Sequence, residues 1–120
     1  MRVALTAQKD EIDGPVDPRF GRARWFIVYD METGESTAHN NEQNLNAAQG
    51  AGVQAAQNVA RLGVGAVITG HVGPRAFATL KAAGIKVYTG ASGTVKEALT
   101  MLKAEELQAV DQPDVEGHWM

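Results

Sequence analysis

The sequence predicts an α/β fold: a mixed five-stranded sheet of order 3-2-1-4-5 with helices on both faces. Three observations carry this. Short apolar runs, partly β-branched, mark strands at Arg2–Ala7, Arg24–Asp30, Gly65–Thr69 and Ile85–Thr89. Between the later runs lie stretches with the apolar spacing of amphipathic helices. Glycine and proline punctuate the joins, with Gly63 and Gly84 closing helical stretches and Pro74 suited to a first helical position. The order βββαβαβα then fits an antiparallel meander extended by right-handed crossovers.

Taken in order, Arg2–Ala7 is a buried, mostly apolar strand. Gln8 to Arg22 is a long irregular stretch containing Gly14, Pro15, Pro18 and Gly21. Loops longer than about 12–15 residues in a small domain are usually functional or disordered. Arg24–Asp30 is the second strand, Met31–Gly34 a turn, and Glu35–Asn40 a more polar third strand at an edge. Asn41–Gly52 is a second loop, in which Asn41, Asn44 and Asn46, like Asn40 before it, read as turn residues. A helix follows over Gly52–Leu62, with Val53, Ala56, Val59, Ala60 and Leu62 near one face. Gly65–Thr69 leads through Gly70 into a helix over Pro74–Ala83, with Phe77 and Leu80 inward. After Ile85–Thr89 comes the loop Gly90–Gly93. Thr94-Val95-Lys96-Glu97 is a capping-box pattern that opens a third helix to Lys103. Glu105–Val110 is expected to add a helical turn. Residues 1–110 thus read as one domain and 111–120 as a loose acidic tail.

The chain has 120 residues, enough for one domain with a real core. Five of its 14 acids fall in residues 105–120, where there is no Lys or Arg, leaving 9 acids against 11 Lys and Arg in the remainder. The folded body is therefore suited to an anion although the whole chain is acidic. No basic tract marks a nucleic-acid arm. The absence of cysteine excludes disulfides and thiolate-ligated metal sites. No signal peptide is read at the start, and no apolar run approaches the ~20 residues that span a bilayer. A cytoplasmic protein without a membrane partner is the expectation.

The predicted topology makes strands one, three, four and five point the same way. The loops that begin near Gln8, Asn41, Gly70 and Gly90 then open on one sheet edge, the edge where open α/β sheets bind ligands. The first of them holds Arg19, Arg22 and Arg24 around Phe20 and Gly21. Guanidiniums beside glycine loops and helix N-termini describe an anion site. The alternative is that these arginines pair on the surface with Asp13, Asp17 or Asp30. His71 follows Gly70 and reads as an anion donor, a metal ligand or an exposed loop histidine. Neither His39 nor His118 makes a metal spacing with it. Ser92 and Thr94 are caps first and ligand contacts second. Trp25 is core packing, and Trp119 lies in the tail.

Such a sheet is similar to the ribonuclease H-like fold, whose nucleases need several carboxylates converging on Mg²⁺. Val3-Ala4-Leu5-Thr6 offers none. No nucleophile elbow appears, and Gly90–Thr94 is not a P-loop. No catalytic or metal-ligating residue is assigned.

Four stretches carry a family resemblance in order and spacing: Gly14–Ala23, Val67–Phe77, Leu80–Tyr88 and Gly93–Leu99. Together they resemble the dinitrogenase iron–molybdenum cofactor biosynthesis family over about residues 1–104. The resemblance implies a ribonuclease H-like fold without nuclease activity, in proteins that bind or carry preformed metal–sulfur clusters. The short length, absent cysteine and acidic end with His118-Trp119 are most similar to a member that holds a molybdenum–copper sulfide cluster non-covalently. Such a cluster is anionic and brings its own sulfides. The implied contacts are Arg19, Phe20, Gly21, Arg22 and Arg24 of the first loop, Gly70, His71, Val72 and Gly73 of the next, and Gly90, Ser92, Gly93 and Thr94 of the last. Phe20 and Val72 would shield the guest from water. The resemblance also implies an alternative, a regulatory module that docks a protein partner such as a P-loop ATPase.

Overall fold

A computed structural model describes residues 1–41 and 50–111. Asn44, Asn46, His118, Trp119 and nearly all of the expected tail lie outside the described residues. The sheet is five-stranded, with order β3-β2-β1-β4-β5. Its strands are β1 (Arg2–Ala7), β2 (Trp25–Asp30), β3 (Ser36–Asn40), β4 (Ala66–Ile68) and β5 (Lys86–Tyr88). The helices are α1 (Ala51–Arg61), α2 (Pro74–Ala82) and α3 (Val95–Lys103). β2 is antiparallel to β1 and β3, whereas β4 is parallel to β1 and β5. The predicted order and directions are those observed, with element ends displaced by at most one residue.

Alternation along β1 explains the three layers. Val3, Leu5 and Ala7 face one core with Ile27, Ile68, Val95, Ala98 and Leu99, under α3. Ala4 faces the other, with Phe26, Val28, Val67, Val59, Phe77 and Leu80, under α1 and α2. The central strand thus buries both faces, which is why its sequence reads as nearly continuous apolar residues. Trp25 packs, partly buried, against the α3-side core. In α1 the buried face is Ala51, Ala55, Ala56 and Val59, with Ala60 and Leu62 packed partly against it.

One element differs from expectation. Glu105–Val110 does not extend α3 as a helical turn. Glu105 takes a left-handed conformation, φ 59°, and the Glu106 N–H donates to the Met101 carbonyl at 2.9 Å, a helix stop. The chain then returns along the sheet edge. Ala109 bridges Tyr88 antiparallel, and the Val110 N–H donates to the Val87 carbonyl at 2.8 Å. Leu107 is buried in the α3-side core. The strap covers backbone groups of β5 that an edge strand would otherwise leave unpaired, and this pairing outweighs the local helical tendency.

Candidate functional site: an arginine cleft at the sheet edge

β1, β3, β4 and β5 run in one direction, so the loops after them meet at one edge. The stretch 8–24 crosses that edge and is stitched to its neighbours. The Asp17 N–H donates to the Thr6 carbonyl at 2.9 Å, and the Thr6 hydroxyl donates back to the Asp17 carbonyl at 2.7 Å. The Thr6 and Thr69 hydroxyls, both fully buried, are hydrogen-bonded at 2.9 Å. Toward β4, the His71 N–H donates to the Pro18 carbonyl at 2.7 Å and the Phe20 N–H to the His71 carbonyl at 3.2 Å. Toward α3, the Val16 N–H donates to the Gly93 carbonyl at 2.9 Å and the Val95 N–H to the Gly14 carbonyl at 3.0 Å. Val16 enters the core beneath α3, while Phe20 enters the core beneath α1 and α2. The loop therefore straddles the sheet, and Asp17, Pro18 and Arg19 lie between its two anchors.

Gln8, Asp17, Arg19, Arg22 and Arg24 line a cleft of about 410 Å³. Arg19 and Arg24 are exposed and Arg22 is half-buried. The three arginines expected at one anion site are thus brought to one cleft. Asp17 is also present and is only 5% exposed. Its Oδ1 accepts the Arg19 N–H at 2.9 Å and lies 3.9 Å from Arg19 Nε. Burial pushes the Asp17 carboxyl above its ordinary value, against the smaller opposing effects of the Arg19 N–H and the Arg19 charge. Of the three acids weighed as arginine partners, Asp17 takes Arg19. Asp30 instead closes the turn after β2 by accepting the N–H groups of Glu32 and Thr33.

Several predicted contacts have other work in this structure. Phe20 and Val72, expected to shield a guest, are fully buried core residues, and the Phe20 ring packs tilted on Phe26 with centroids 5.6 Å apart. Gly21 and Gly70 are close-approach glycines. A Cβ on Gly21 would sit 2.8 Å from the Gly52 Cα, and one on Gly70 would sit 2.7 Å from the Pro18 Cα. Gly73 is the N-cap of α2, whose first turn holds Pro74 and no acid. His71 is half-buried, and its main chain bridges Arg19. Gly90 and Gly93 take positive φ, and Ser92 is exposed. Thr94 forms the predicted capping box: its hydroxyl accepts the Glu97 N–H at 3.1 Å, and Glu97 Oε1 accepts the Thr94 N–H at 2.9 Å. The N-terminus of α3 is therefore already occupied by a carboxylate.

Three residues at the cleft have roles that the sequence does not announce. Gln8 and Asp17 line the cleft. Asn41, 1% exposed, donates from its side-chain amide to the Ala23 carbonyl at 2.8 Å, tying the end of β3 to the arginine segment. The signal for Asp17 was local: Asp two residues before Arg19, between two prolines' reach, is an Asx-turn pattern. Among the described residues, no three His, Asp or Glu side chains come together as a metal site.

The profile of the dinitrogenase iron-molybdenum cofactor family matches residues 1–105. The chain belongs to that family. The apo form of the orange protein from Desulfovibrio gigas is 41% identical and superposes with a TM-score of 0.93, over 95% of this chain and 96% of that one. A Thermotoga protein of the DUF35 family, solved by NMR, is 38% identical with a TM-score of 0.79, over 90% and 91%. An uncharacterized protein of Methanocaldococcus jannaschii is 28% identical over 110 residues, 90% of each chain. Family and fold therefore agree with a cluster-binding domain of three-layer α/β architecture. Among the described residues, no helix is long and apolar enough to cross a membrane.

Proposed function

We propose that this chain is a non-enzymatic carrier of a preformed, anionic metal–sulfide cluster, with a molybdenum–copper sulfide cluster as its cargo. The cargo is held non-covalently in the arginine cleft, by residues of a binding unit spanning 1–110, in the cytoplasm. The observation that carries the reading is the convergence of Arg19, Arg22 and Arg24 on one cleft in a chain without cysteine. Thiolates are the usual protein ligands of metal–sulfur clusters. Here the sulfur must arrive with the guest, and the protein must grip sulfide from outside. Guanidiniums suit that task, because their planar forks donate charge-assisted hydrogen bonds to anions. The position at the carboxyl ends of β1 and β4 supports it, as does similarity to a protein whose solved form is described as apo.

The test is direct. Protein is mixed with tetrathiomolybdate and copper, desalted, and its visible spectrum recorded. A coloured species that co-elutes with wild type, and is lost when Arg19, Arg22 and Arg24 are replaced together by Ala, is the expected result. Colour retained by the triple variant moves the site elsewhere, and no colour on wild type overturns the reading.

A further inference from the structure

One group in the cleft works against an anionic guest. Asp17 is a nearly buried carboxylate on a wall whose other described residues are Gln8 and three arginines. It has no freedom to withdraw. Its backbone is fixed by the reciprocal bonds with Thr6, and its Oδ1 is held by the Arg19 N–H. The turn itself does not need the charge, since an amide oxygen would accept the same N–H. Holding a charge there is costly, because burial takes the carboxylate out of water. The negative charge therefore contributes chiefly a field, poorly screened by water at this depth and directed at whatever the arginines hold.

We propose that Asp17 is an internal counter-anion of the arginine cleft, a specificity-setting residue that weakens the hold on a bound anion in proportion to that anion's charge. The inference rests on reading the cleft as the cluster site. It describes a carrier that binds polyanionic cargo firmly enough to retain it and loosely enough to give it up. The same carboxylate lies 3.9 Å from Arg19 Nε, so it and a guest draw on the same guanidinium. Because electrostatic energy is the product of guest charge and local potential, removing Asp17 multiplies affinity by one factor for a monoanion and by its square for a dianion.

The experiment uses two tetrahedral, sulfide-coated probes of similar size that differ by one charge: tetrathioperrhenate, singly charged, and tetrathiomolybdate, doubly charged. Each is titrated calorimetrically into wild type and Asp17→Asn at neutral pH and fixed salt. Asp17→Asn is expected to tighten the monoanion about threefold and the dianion about tenfold. Asp17→Ser keeps a side-chain oxygen for the Arg19 N–H and is expected to give the same ratio, so the result does not depend on one variant folding. An equal change for both probes, no change, or weakening overturns the inference. If the Arg19, Arg22 and Arg24 triple variant loses both probes while neither Asp17 variant shows charge scaling, the inference falls and the cleft stands. If wild type binds neither probe, both fall.

Discussion

Two loops at the same sheet edge read alike in sequence as anion cradles, and the structure makes them opposites. Gly90–Thr94 enters α3 through glycines in left-handed conformations, an arrangement suited to an anion at a helix N-terminus. That place is taken by Glu97, whose carboxylate accepts the Thr94 N–H and shares the macrodipole's favourable end. The arginine loop does not end in a helix, yet it collects three guanidiniums on one cleft with, among the described residues, one carboxylate, Asp17. In the first loop the chain satisfies its own positive potential. In the second, three cationic side chains share a wall with one acid among the described residues. The helix N-terminus meets its own carboxylate, whereas the arginine wall gathers several guanidiniums around one nearly buried acid.

This contrast can be broken from either side. The largest effect is expected at the anchor of the arginine loop. Phe20→Ala removes a fully buried ring from beneath α1 and α2. It should cost about 3–5 kcal/mol in denaturant unfolding. Next is the joint replacement of Arg19, Arg22 and Arg24 by Ala. Retention of a thiomolybdate–copper species after desalting should be lost, with the fold kept because none of the three arginines belongs to either core. Thr94→Ala should do the reverse. It removes one half of the capping box, costs about 1 kcal/mol in denaturant unfolding, and leaves cluster retention intact.

The smallest effect separates the two carboxylates by sign. Glu97 is held below its ordinary 4.5, first by the Thr94 backbone N–H and then by the Thr94 side chain. Its contribution to stability is full above that value and is lost as pH falls through the lower folded one. Asp17 is raised above its ordinary 3.8, first by desolvation. Its contribution is full below that value and is lost as pH rises through the higher folded one. Melting curves from acid to neutral pH should therefore show Asp17→Asn gaining on wild type as pH rises, and Glu97→Gln losing on it.

The fold was legible because its signals are local and mutually consistent. β1 is apolar on both faces, Pro74 opens α2, Gly63 and Gly84 follow α1 and α2, and Thr94 with Glu97 caps α3. The strap at Ala109–Val110 was not legible, because pairing with β5 is a long-range event that 105–110 does not announce. Of the site, the arginines and the edge were readable from their clustering and the strand directions. The roles of Phe20, Gly21 and Gly70 were not. An aromatic between arginines looks like a surface contact until its burial is known, and a glycine beside a candidate ligand looks like a cradle until the backbone it touches is known. Gly70 is small because Pro18 passes over it, and Gly21 because Gly52 does. From the sequence Asp17 reads only as a surface partner, since burial of a carboxylate depends on the whole loop's path.

Because Val16 and Phe20 sink into different cores, the segment between them is stapled through both layers of the protein. Opening the cleft's main chain would require withdrawing an apolar side chain from beneath α3, from beneath α1 and α2, or from both. The cleft backbone is therefore set before any guest arrives, and association need order only the ends of a few long side chains. For the proposed cargo, capture would spend little conformational entropy, and departure would leave the protein ready for the next guest without refolding.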